Sequence, residues 1–574
     1  MNSEISSKRV YLVALLFAGI FLVMLLRLVQ LQVLRHDYYS VLANQTHQRK
    51  YEIGASRGQI FAQDRKKKVP LVLNRNLKTL YADNRYIEDP LATAKSLAAI
   101  TKDAPESFAN MLKTKDAYVV LKRNLEPAMA DAIDKQQLAG IGLSDTATRT
   151  YPESAQAAQV LGFVNAEGKG QYGIEEHFDN LLAGKPGLFK AKTDSRGIPI
   201  TSNDNVQQAP INGHDIVLSI DRNIQAKMEA VLKDGVEKFK AKSASAVIIE
   251  ANTGAIRAMA NYPTFDPNKF QDVEDYSLFS NKAAQDLFEP GSNFKIFSMS
   301  AALDTGAVTP ETTYNNTGSV TLDEYVVKNA SGIPNGTYAM KDVVKKSINT
   351  GVVYALEKMG GQAINTTAKR KLYNYYTDHF GFGNPTGVEL ANEPGGQLEK
   401  PDGASSVTYA NMTFGQGLTA TMLQIVSAAA SVVNGGTLYQ PFIVEQKIDP
   451  SGTIEQTKPK VKKQNTVSAK TGNQLKAMME SVVVDGGGFG TKIPGYRIGG
   501  KTGTAQIPNP QGGYFDNRDI GTFTGFVPID KPKYVMMVRV DEPVVPGFAG
   551  SAAAGPMFGD IMRWLLQYEG MPPS

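Results

Sequence analysis

The sequence predicts an α+β fold in which a membrane helix precedes two folded modules. Three observations support this prediction. The chain has 574 residues, more than one ordinary hydrophobic core accommodates. A charge-free apolar run lies near its start. From residue 206 onward, strand patterns come first, helical patterns follow and strand patterns return. This order predicts one antiparallel sheet flanked by helices, with a helical subdomain inserted between its strands.

The apolar run predicts a transmembrane anchor over residues 10–34. Its charge-free part, VYLVALLFAGIFLVMLL, spans about 26 Å as a helix, and apolar residues resume after Arg27. Lys8 and Arg9 precede it, so the positive-inside rule predicts a cytoplasmic tail at 1–9 and an extracytoplasmic remainder. The following RLVQLQVLRHDYY lacks a small-residue cleavage pattern. An uncleaved anchor is therefore favoured over a cleaved signal peptide and over a buried core helix.

The first module is predicted over residues 35–205. It begins with a polar helical stalk at 35–50 and continues as a mixture of strands and helices, with one helix over 90–100. The turn-rich stretch SNDNVQQAPING at 202–213 predicts its boundary with the second module, which we place at 206–574.

The second module carries the strand signals of the predicted sheet. An alternating strand at 215–220 is followed by a hairpin whose turn lies at 252–254. Two further strands are predicted at 523–527 and 534–540. The Gly/Pro/Asn-rich segment 507–519 predicts a loop that moves.

Composition excludes several classes of function. The net charge of +5 is small for this length, and no dense basic stretch extends beyond RKKK at 65–68, so nucleic acid is not predicted as a partner. The chain has no cysteine, which excludes disulfides, cysteine nucleophiles and thiolate metal sites. No two of the 5 histidines form a close pair of metal ligands, and neither a metal site nor a cofactor is predicted.

The first motif with chemical content is EPGSNFK, which places Ser292 and Lys295 three residues apart at the start of an apolar helix. At that spacing the two side chains share a helix face. A serine hydroxyl is a weak nucleophile until a base activates it, and a buried, neutral lysine can be that base. Backbone N–H groups at a helix start favour an oxyanion. Alone, the motif also fits a helix-start serine with a surface lysine.

The second motif is Ser347-Ile348-Asn349, between two predicted helices. There Ser347 can relay a proton between Lys295 and a leaving group, and Asn349 can donate its amide to a substrate carbonyl. An ordinary helix N-cap fits the same residues.

The third motif is KTGT, Lys501 to Thr504, which follows a strand with two glycines. Glycines let a ligand backbone approach closely, and Lys501 adds positive charge. Thr504 offers a hydroxyl for a carboxylate and a backbone N–H for an oxyanion. With Thr502 and Gly503 these residues are the predicted substrate-binding strand. A second Lys-Thr-Gly at 470–472 precedes a helical pattern and is predicted to be a helix start.

Ser-x-x-Lys, Ser-x-Asn and Lys-Thr-Gly in this order are typical of the penicillin-recognising serine enzymes. No Gly-x-Ser-x-Gly elbow is evident, which disfavours a Ser-His-Asp hydrolase. The whole chain resembles class B penicillin-binding proteins. The pedestal, or dimerisation, domain of that family is matched by GASRGQIFAQDR, VLGFVN and GIEEHFDNLLAGKPG. The catalytic domain is matched by ANTGAIRAMANYPTFDPN, LFEPGSNFK, TFGQGLTATMLQI and GGKTGTAQ.

The resemblance implies a D,D-transpeptidase that cross-links peptidoglycan stem peptides through a Ser292 acyl-enzyme and is acylated by β-lactams. Catalytic roles fall on Ser292, Lys295 and Ser347. The likeness is greatest to the septal, cell-division type, and it implies a multi-pass glycan polymerase and division-complex proteins as partners. The chain is then expected in the inner membrane, with its catalytic domain extracytoplasmic.

Alternatives stay open at this point. An elongation-type transpeptidase that maintains cell shape fits the same motifs. A D,D-carboxypeptidase or β-lactamase uses water as the final acceptor. A membrane β-lactam sensor is disfavoured because the tail at 1–9 leaves no room for a signalling domain, and a catalytically dead scaffold is disfavoured because all three motifs are intact. Residues 35–205 also lack the character of a glycosyltransferase, which disfavours a bifunctional class A enzyme.

Overall fold

The computed structural model describes residues 2–39, 48–114, 118–192, 206–330, 332–486, 490–509 and 511–573. The chain divides into two compact units. The first comprises Met1–Arg57 with Ala183–Gly213, and the second comprises Gly58–Leu182 with His214–Ser574.

The first unit contains the predicted anchor as one helix. It runs over Asn2–Val29 and continues as a π-helical turn over Gln30–Leu34. The most apolar 18 residues within the span Lys8–Leu34 have a mean hydropathy of 2.8, and none of those residues is buried. A three-stranded sheet of Gln48–Ile53, Gly187–Lys192 and Val206–Gln208 completes the unit.

The predicted helical stalk at 35–50 is helical at residues 36–39, but this sheet corrects it at residues 48–50. Residues 48–53 form a strand because they pair antiparallel with 187–192, a contact between distant parts of the chain that local pattern does not reveal. Residues 40–47 of the predicted stalk lie outside the described residues.

The second unit contains a seven-stranded sheet whose strands come from both sides of residue 206. Its strands, in spatial order, are Ile454–Gln456, Val444–Ile448, Asp215–Asp221, Ile60–Asp64, Lys67–Ala82 and Val119–Leu125, with Ile141–Thr150 also paired to Lys67–Ala82. Asp215–Asp221 pairs parallel with Ile60–Asp64, and the other pairs are antiparallel. Arg65 and Lys66 of the RKKK segment form an exposed turn after Asp64, and Lys67 and Lys68 begin the next strand. Helices Pro90–Thr101, Pro105–Leu112 and Pro127–Asp134 share an apolar cluster with this sheet.

Short elements lie along the chain between the strands Ile141–Thr150 and Gly187–Lys192. They are the helices Ala158–Leu161, Gly173–His177 and Asp179–Ala183 and the paired strands Phe163–Val164 and Gly170–Gln171.

A five-stranded antiparallel sheet is the frame of the site. We label its strands in chain order: β1 Ser243–Glu250, β2 Ile256–Tyr262, β3 Gly499–Pro508, β4 Tyr514–Val527 and β5 Tyr534–Asp541. The spatial order is β2-β1-β5-β4-β3, so β3 lies at an edge. The predicted joining of the hairpin with the late strands in one antiparallel sheet, and the α+β class, are confirmed. The predicted strand at 215–220 lies instead in the seven-stranded sheet, because it pairs with the distant strands Ile60–Asp64 and Val444–Ile448.

Helices cover both faces of this sheet. On one face lie α1, Arg222–Phe239, and α6, Gly555–Tyr568. On the other lie α2, Lys295–Asp304, α4, Met422–Val433, and α5, Ala469–Val484. Alternating residues of β1 explain this layering. Ile248 packs in the apolar cluster with α1 and α6, whereas Val247 and Ile249 pack in the cluster with α2, α4 and α5.

The inserted helical region also contains α3, Asn349–Met359. Its remaining helices are Lys282–Gln285, Met340–Lys345, Thr366–Asn374 and Ser406–Met412. Three short two-stranded pairs accompany them: Thr313–Asn316 with Gly336–Ala339, Ser319–Leu322 with Tyr325–Lys328, and Leu438–Tyr439 with Val461–Lys463.

The predicted loop at 507–519 is wrong for most of its length. β3 extends to Pro508, β4 begins at Tyr514, and these two residues pair with each other. The pairing of β3 with β4 continues into this segment because backbone hydrogen bonds form whatever the side chains are. The Gly/Asn-rich composition marks only the turn between the two strands.

Candidate active site

Ser292 lies on a tight 3-10 turn, Gly291–Phe294, that leads directly into α2. Gly291 has φ +56, a left-handed conformation that glycine adopts without strain. A side-chain carbon at Gly291 would lie 2.7 Å from the carbonyl oxygen of Thr504. The nucleophile turn therefore packs against the edge strand β3, and only glycine permits that approach.

Asn293 joins the same turn to the sheet. Its side chain is fully buried and its Nδ2 donates to Thr522 Oγ1 on β4 at 2.6 Å. A side-chain carbon at Gly503 would lie 2.3 Å from that Nδ2. The turn bearing Ser292 is thus fixed against β3 and β4 by one buried amide and two glycines.

A third glycine supports the turn from the opposite side. The Gly291 amide donates to the carbonyl oxygen of Gly415 at 3.1 Å, and a side-chain carbon at Gly415 would lie 2.2 Å from the Gly291 oxygen. Glu289, just before the turn, accepts hydrogen bonds from the Gly417 amide at 2.9 Å and from the Tyr514 hydroxyl at 3.0 Å. Sequence reasoning assigned no role to Gly415, Glu289 or Asn293. Their presence in the segments EPGSNFK and TFGQG was the available signal.

The second motif forms the turn between Met340–Lys345 and α3. Ser347 has φ +57, a conformation unusual for a residue with a side chain. The N-cap position of α3 is Ile348, which makes no side-chain capping bond, so the alternative of an ordinary serine N-cap is wrong. The strained turn instead presents Ser347 toward two lysines.

Lys295 is fully buried, and its ammonium group has three acceptors. Lys295 Nζ donates to the Ser347 carbonyl at 2.6 Å, to Ser347 Oγ at 3.1 Å and to Asn349 Oδ1 at 2.7 Å. Among the described residues it forms no ion pair. The Ser347 carbonyl oxygen and Asn349 Oδ1 lie closer to Lys295 Nζ than Ser347 Oγ does. In its neutral form, the amine can donate to both of them and keep its lone pair for a hydroxyl.

Lys501 approaches the same serine from β3. It is also fully buried, and its Nζ donates to Ser347 Oγ at 2.9 Å and to the Thr502 carbonyl at 2.9 Å. Two lysine side chains therefore converge on one hydroxyl oxygen.

Both lysines are removed from water, and Lys501 also perturbs Lys295. Burial, and then the positive charge of Lys501, hold the pKa of Lys295 well below its ordinary value. Burial lowers the pKa of Lys501 to about 7. The lowered pKa of Lys295 makes its neutral, proton-accepting form easier to reach, and Lys501 is a second source of positive charge in the same site.

Asn349 does more than the sequence predicts. Its Oδ1 accepts from Lys295, and its Nδ2 donates to the carbonyl oxygen of Lys328 at 2.9 Å. The amide therefore orients Lys295, and one of its two N–H groups is already used. Its predicted donation to a substrate carbonyl stays a prediction.

Thr502, Gly503 and Thr504 lie on β3, in register with residues 523, 522 and 521 of β4. The structure thus places Lys295, Asn349 and Lys501 around Ser347, and it packs the turn that bears Ser292 against Thr504. The second Lys-Thr-Gly lies in the first turn of α5, where Thr471 Oγ1 donates to Asp304 Oδ1 at 2.7 Å. The prediction that 470–472 is a helix start is confirmed. Among the described residues, no group of three or more His, Asp or Glu side chains is arranged to hold a metal.

Comparison with known proteins gives the family. The model of the penicillin-binding protein transpeptidase domain matches residues 244–563, and that of the penicillin-binding protein dimerisation domain matches residues 52–218. Stage V sporulation protein D of Bacillus subtilis is 32% identical over 572 residues, covering 99% of this chain and 86% of the relative. Peptidoglycan D,D-transpeptidase FtsI of Escherichia coli K12 is 31% identical over 559 residues, covering 96% and 90% respectively.

Solved structures share this fold. Penicillin-binding protein 3 of Mycobacterium tuberculosis, complexed with aztreonam, has a TM-score of 0.70 at 26% identity, covering 91% of this chain and 98% of that one. A peptidoglycan synthetase from Bifidobacterium adolescentis has a TM-score of 0.72 at 24% identity, over 92% and 98%. The described residues contain one helix that is long and apolar enough to cross a membrane, and with these relatives the chain is a single-pass membrane protein. It belongs to the class B penicillin-binding proteins, serine-type D,D-transpeptidases in which a dimerisation domain precedes a transpeptidase domain.

Proposed function

We propose that this chain cross-links peptidoglycan stem peptides through an acyl-enzyme on Ser292. The observation that supports this most directly is the convergence of Lys295 Nζ and Lys501 Nζ on Ser347 Oγ, at 3.1 Å and 2.9 Å, next to the turn that bears Ser292. A nucleophile, a neutral base and a proton relay are the groups that acyl transfer requires.

In acylation, neutral Lys295 takes the hydroxyl proton as Ser292 Oγ bonds to the carbonyl carbon of the penultimate D-Ala. The bond from that carbon to the terminal D-Ala nitrogen then breaks. Ser347, in contact with Lys295, relays the proton to the departing amine. In the second half of the reaction, deacylation, an amine of a neighbouring stem peptide attacks the acyl carbon. The proton of that amine returns to Ser292 Oγ by the same route, and the free serine is regenerated.

The edge strand β3 binds the donor in this proposal. Lys501 supplies positive charge, and Thr502 and Thr504 supply hydroxyls for the terminal carboxylate of the donor. The backbone N–H groups of Ser292 and Thr504 form the oxyanion site, supported by the close packing of Gly291 on Thr504. The second N–H of the Asn349 amide donates to a peptide carbonyl of the substrate.

The wider assignment follows from the anchor and the relatives. We place the cytoplasmic tail at 1–9, the anchor at 10–34, the pedestal at 35–205 and the transpeptidase domain at 206–574, with all but the tail and anchor outside the cytoplasm. Lys8 and Arg9 support that orientation. The similarity to FtsI supports a role in septal wall synthesis, together with a multi-pass glycan polymerase and other division proteins.

Product analysis tests the reaction. The purified full-length chain is given a stem-peptide or thioester donor and a D-amino acid acceptor, and the products are resolved by mass spectrometry. We expect the exchanged product that contains the acceptor to dominate and to be absent with Ser292→Ala. Donor consumed only to the hydrolysed acid would show a carboxypeptidase instead.

Depletion of the protein in its host tests the cellular role. A septal transpeptidase gives elongated cells without septa, because side-wall synthesis continues while division stops. Cells that lose their shape and round up would instead identify the elongation type.

A further inference from the structure

A cavity of about 320 Å³ lies beside the nucleophile turn and has no part in the reaction described above. Two of its walls belong to the site: Glu289, which precedes the turn, and Gln506 with Ile507, which follow Thr504 on β3. Polar, apolar and charged side chains form the rest of its lining. The charged ones, of both signs, are Lys242, Lys282, Asp286, Arg518, Arg539, Asp541 and Glu542.

Most of these charges are already paired. Arg539 is buried, with its Nη1 2.7 Å from Asp286 Oδ2 and its Nε 2.7 Å from Asp541 Oδ1. Arg518 makes two bonds to Glu542, at 2.6 Å and 3.0 Å. Such pairs fix the shape of the cavity wall and leave those groups little capacity to bind a ligand.

Two groups keep unused capacity. Lys282 Nζ donates to Ser243 Oγ at 3.3 Å, and no carboxylate within the described part of the chain lies within ion-pair distance of it. Asp286 uses Oδ2 for Arg539, while its side chain is 43% exposed and Oδ1 accepts no hydrogen bond from a described residue. A cation and an anion therefore face the same cavity, a pattern that matches a ligand group bearing a carboxylate and an ammonium together.

The register of the donor on β3 brings this cavity within reach of the substrate. A donor whose terminal carboxylate lies at Lys501 and whose acyl carbon lies at Ser292 extends along β3 toward Gln506. Gln506 is two residues, or about 7 Å, from Thr504. The stem residue just before the acylating D-Ala then lies opposite Gln506, at the cavity mouth.

Resting on the proposed function, we infer that the cavity receives the side chain of this third stem residue, and that this side chain ends in an α-amino-carboxylate. Its carboxylate binds Lys282 and its ammonium binds Asp286. A lysine side chain carries the ammonium alone and leaves Lys282 unpaired, so the site selects a diamino dicarboxylic acid.

The test compares three donors that differ only at the third residue: 2,6-diaminopimelate, its side-chain carboxamide, and lysine. The full-length chain is supplied with each donor and a D-amino acid acceptor, and D-Ala release is measured. We expect the diaminopimelate donor to react about tenfold faster in kcat/KM than either of the others, the effect of one charge-assisted pair. Equal rates, or a faster lysine donor, would overturn the inference.

The variant Lys282→Gln tests whether Lys282 is the residue that produces the preference for the diaminopimelate donor. Its diaminopimelate preference should fall below about twofold, whereas Lys282→Arg, which keeps the charge, should retain most of it. Lys242→Gln is the matched control, because Lys242 also lines the cavity but lies 3.6 Å from Glu542, and it should leave the preference intact. A preference that survives Lys282→Gln contradicts the assignment. If that variant does not fold, the three-donor comparison on wild type still decides.

Penicillin labelling separates this inference from the proposed function. A wild-type chain that is labelled by penicillin but shows no preference among the three donors refutes the cavity assignment alone. A wild-type chain that penicillin does not label, and that releases no D-Ala from any donor, refutes the proposed function.

Discussion

Lys501 Nζ lies 2.9 Å from Ser347 Oγ, so a strand residue and an inter-helix turn residue share one hydrogen bond across the site. Since Lys295 Nζ contacts the same oxygen, this serine connects the two buried amines. The connection gives the proposed proton route its physical form, and it makes Ser347 the residue whose removal is most informative after Ser292.

Replacing Ser347 with Ala removes the shared acceptor. We expect the rate of penicillin acylation, measured with a fluorescent penicillin, to fall by about 10²–10⁴-fold, the range for loss of a positioned proton-transfer group. Ser300→Ala is the control, because Ser300 is buried on the same helix as Lys295 and bonds only the Ile296 carbonyl, at 2.7 Å. An unchanged rate for Ser347→Ala would remove the relay from the mechanism.

The lowered pKa values of the two lysines predict a bell-shaped pH profile. Only deprotonated Lys295 accepts a proton, so kcat/KM for acylation should rise with pH through its lowered pKa. Only protonated Lys501 attracts the ligand carboxylate, so the rate should fall as pH passes the Lys501 pKa of about 7. Stopped-flow acylation between about pH 5 and 9 measures both limbs. A flat profile over this range would contradict the assignment of the two charges.

Gly503 provides a test of the close approach between β3 and the nucleophile turn. In Gly503→Ala the new carbon would lie 2.3 Å from Asn293 Nδ2, and the turn must move away. We expect acylation to slow by about 100-fold, since small displacements of reacting groups have effects of that size. Gly54→Ala is the control because no atom lies within 4 Å of its added carbon. Equal acylation by both variants would show that the approach does not position Ser292.

A buried ion pair predicts a stability effect away from the site. Arg149 Nε lies 2.7 Å from Glu175 Oε1, with side-chain exposures of 5% and 0%. Glu175→Gln leaves Arg149 charged in a buried place, and we expect the free energy of unfolding to fall by about 3 kcal/mol. In the matched exposed pair, Asp402→Asn removes the partner of Arg370, and we expect the free energy of unfolding to change by less than about 1 kcal/mol. Denaturant unfolding of the full chain measures both, and equal effects would contradict the account.

The chemical motifs are predictable from sequence because each is short and local. Ser292 and Lys295 are three residues apart, and a helix start brings them to one face wherever it occurs. Context also separates the two Lys-Thr-Gly tripeptides, because a strand pattern precedes 501 and a helical pattern follows 472.

What the sequence does not reveal depends on distant contacts. The strand at 48–53 exists because it pairs with 187–192, and Asp215–Asp221 lies parallel to Ile60–Asp64 far back in the chain. The support of the nucleophile turn by Gly415 is of the same kind. Asn349 was predicted only as a substrate donor, because nothing local indicates that its oxygen would accept from Lys295.

The central claim is that Ser292 carries the acyl group, and peptide mapping of the penicillin adduct tests it most directly. The full-length chain and its Ser292→Ala variant are treated with benzylpenicillin, digested, and the modified peptide is sequenced by mass spectrometry. We predict one adduct, on Ser292, in the wild-type chain and none in the variant. An adduct on another residue, or equal modification of the variant, would contradict the account.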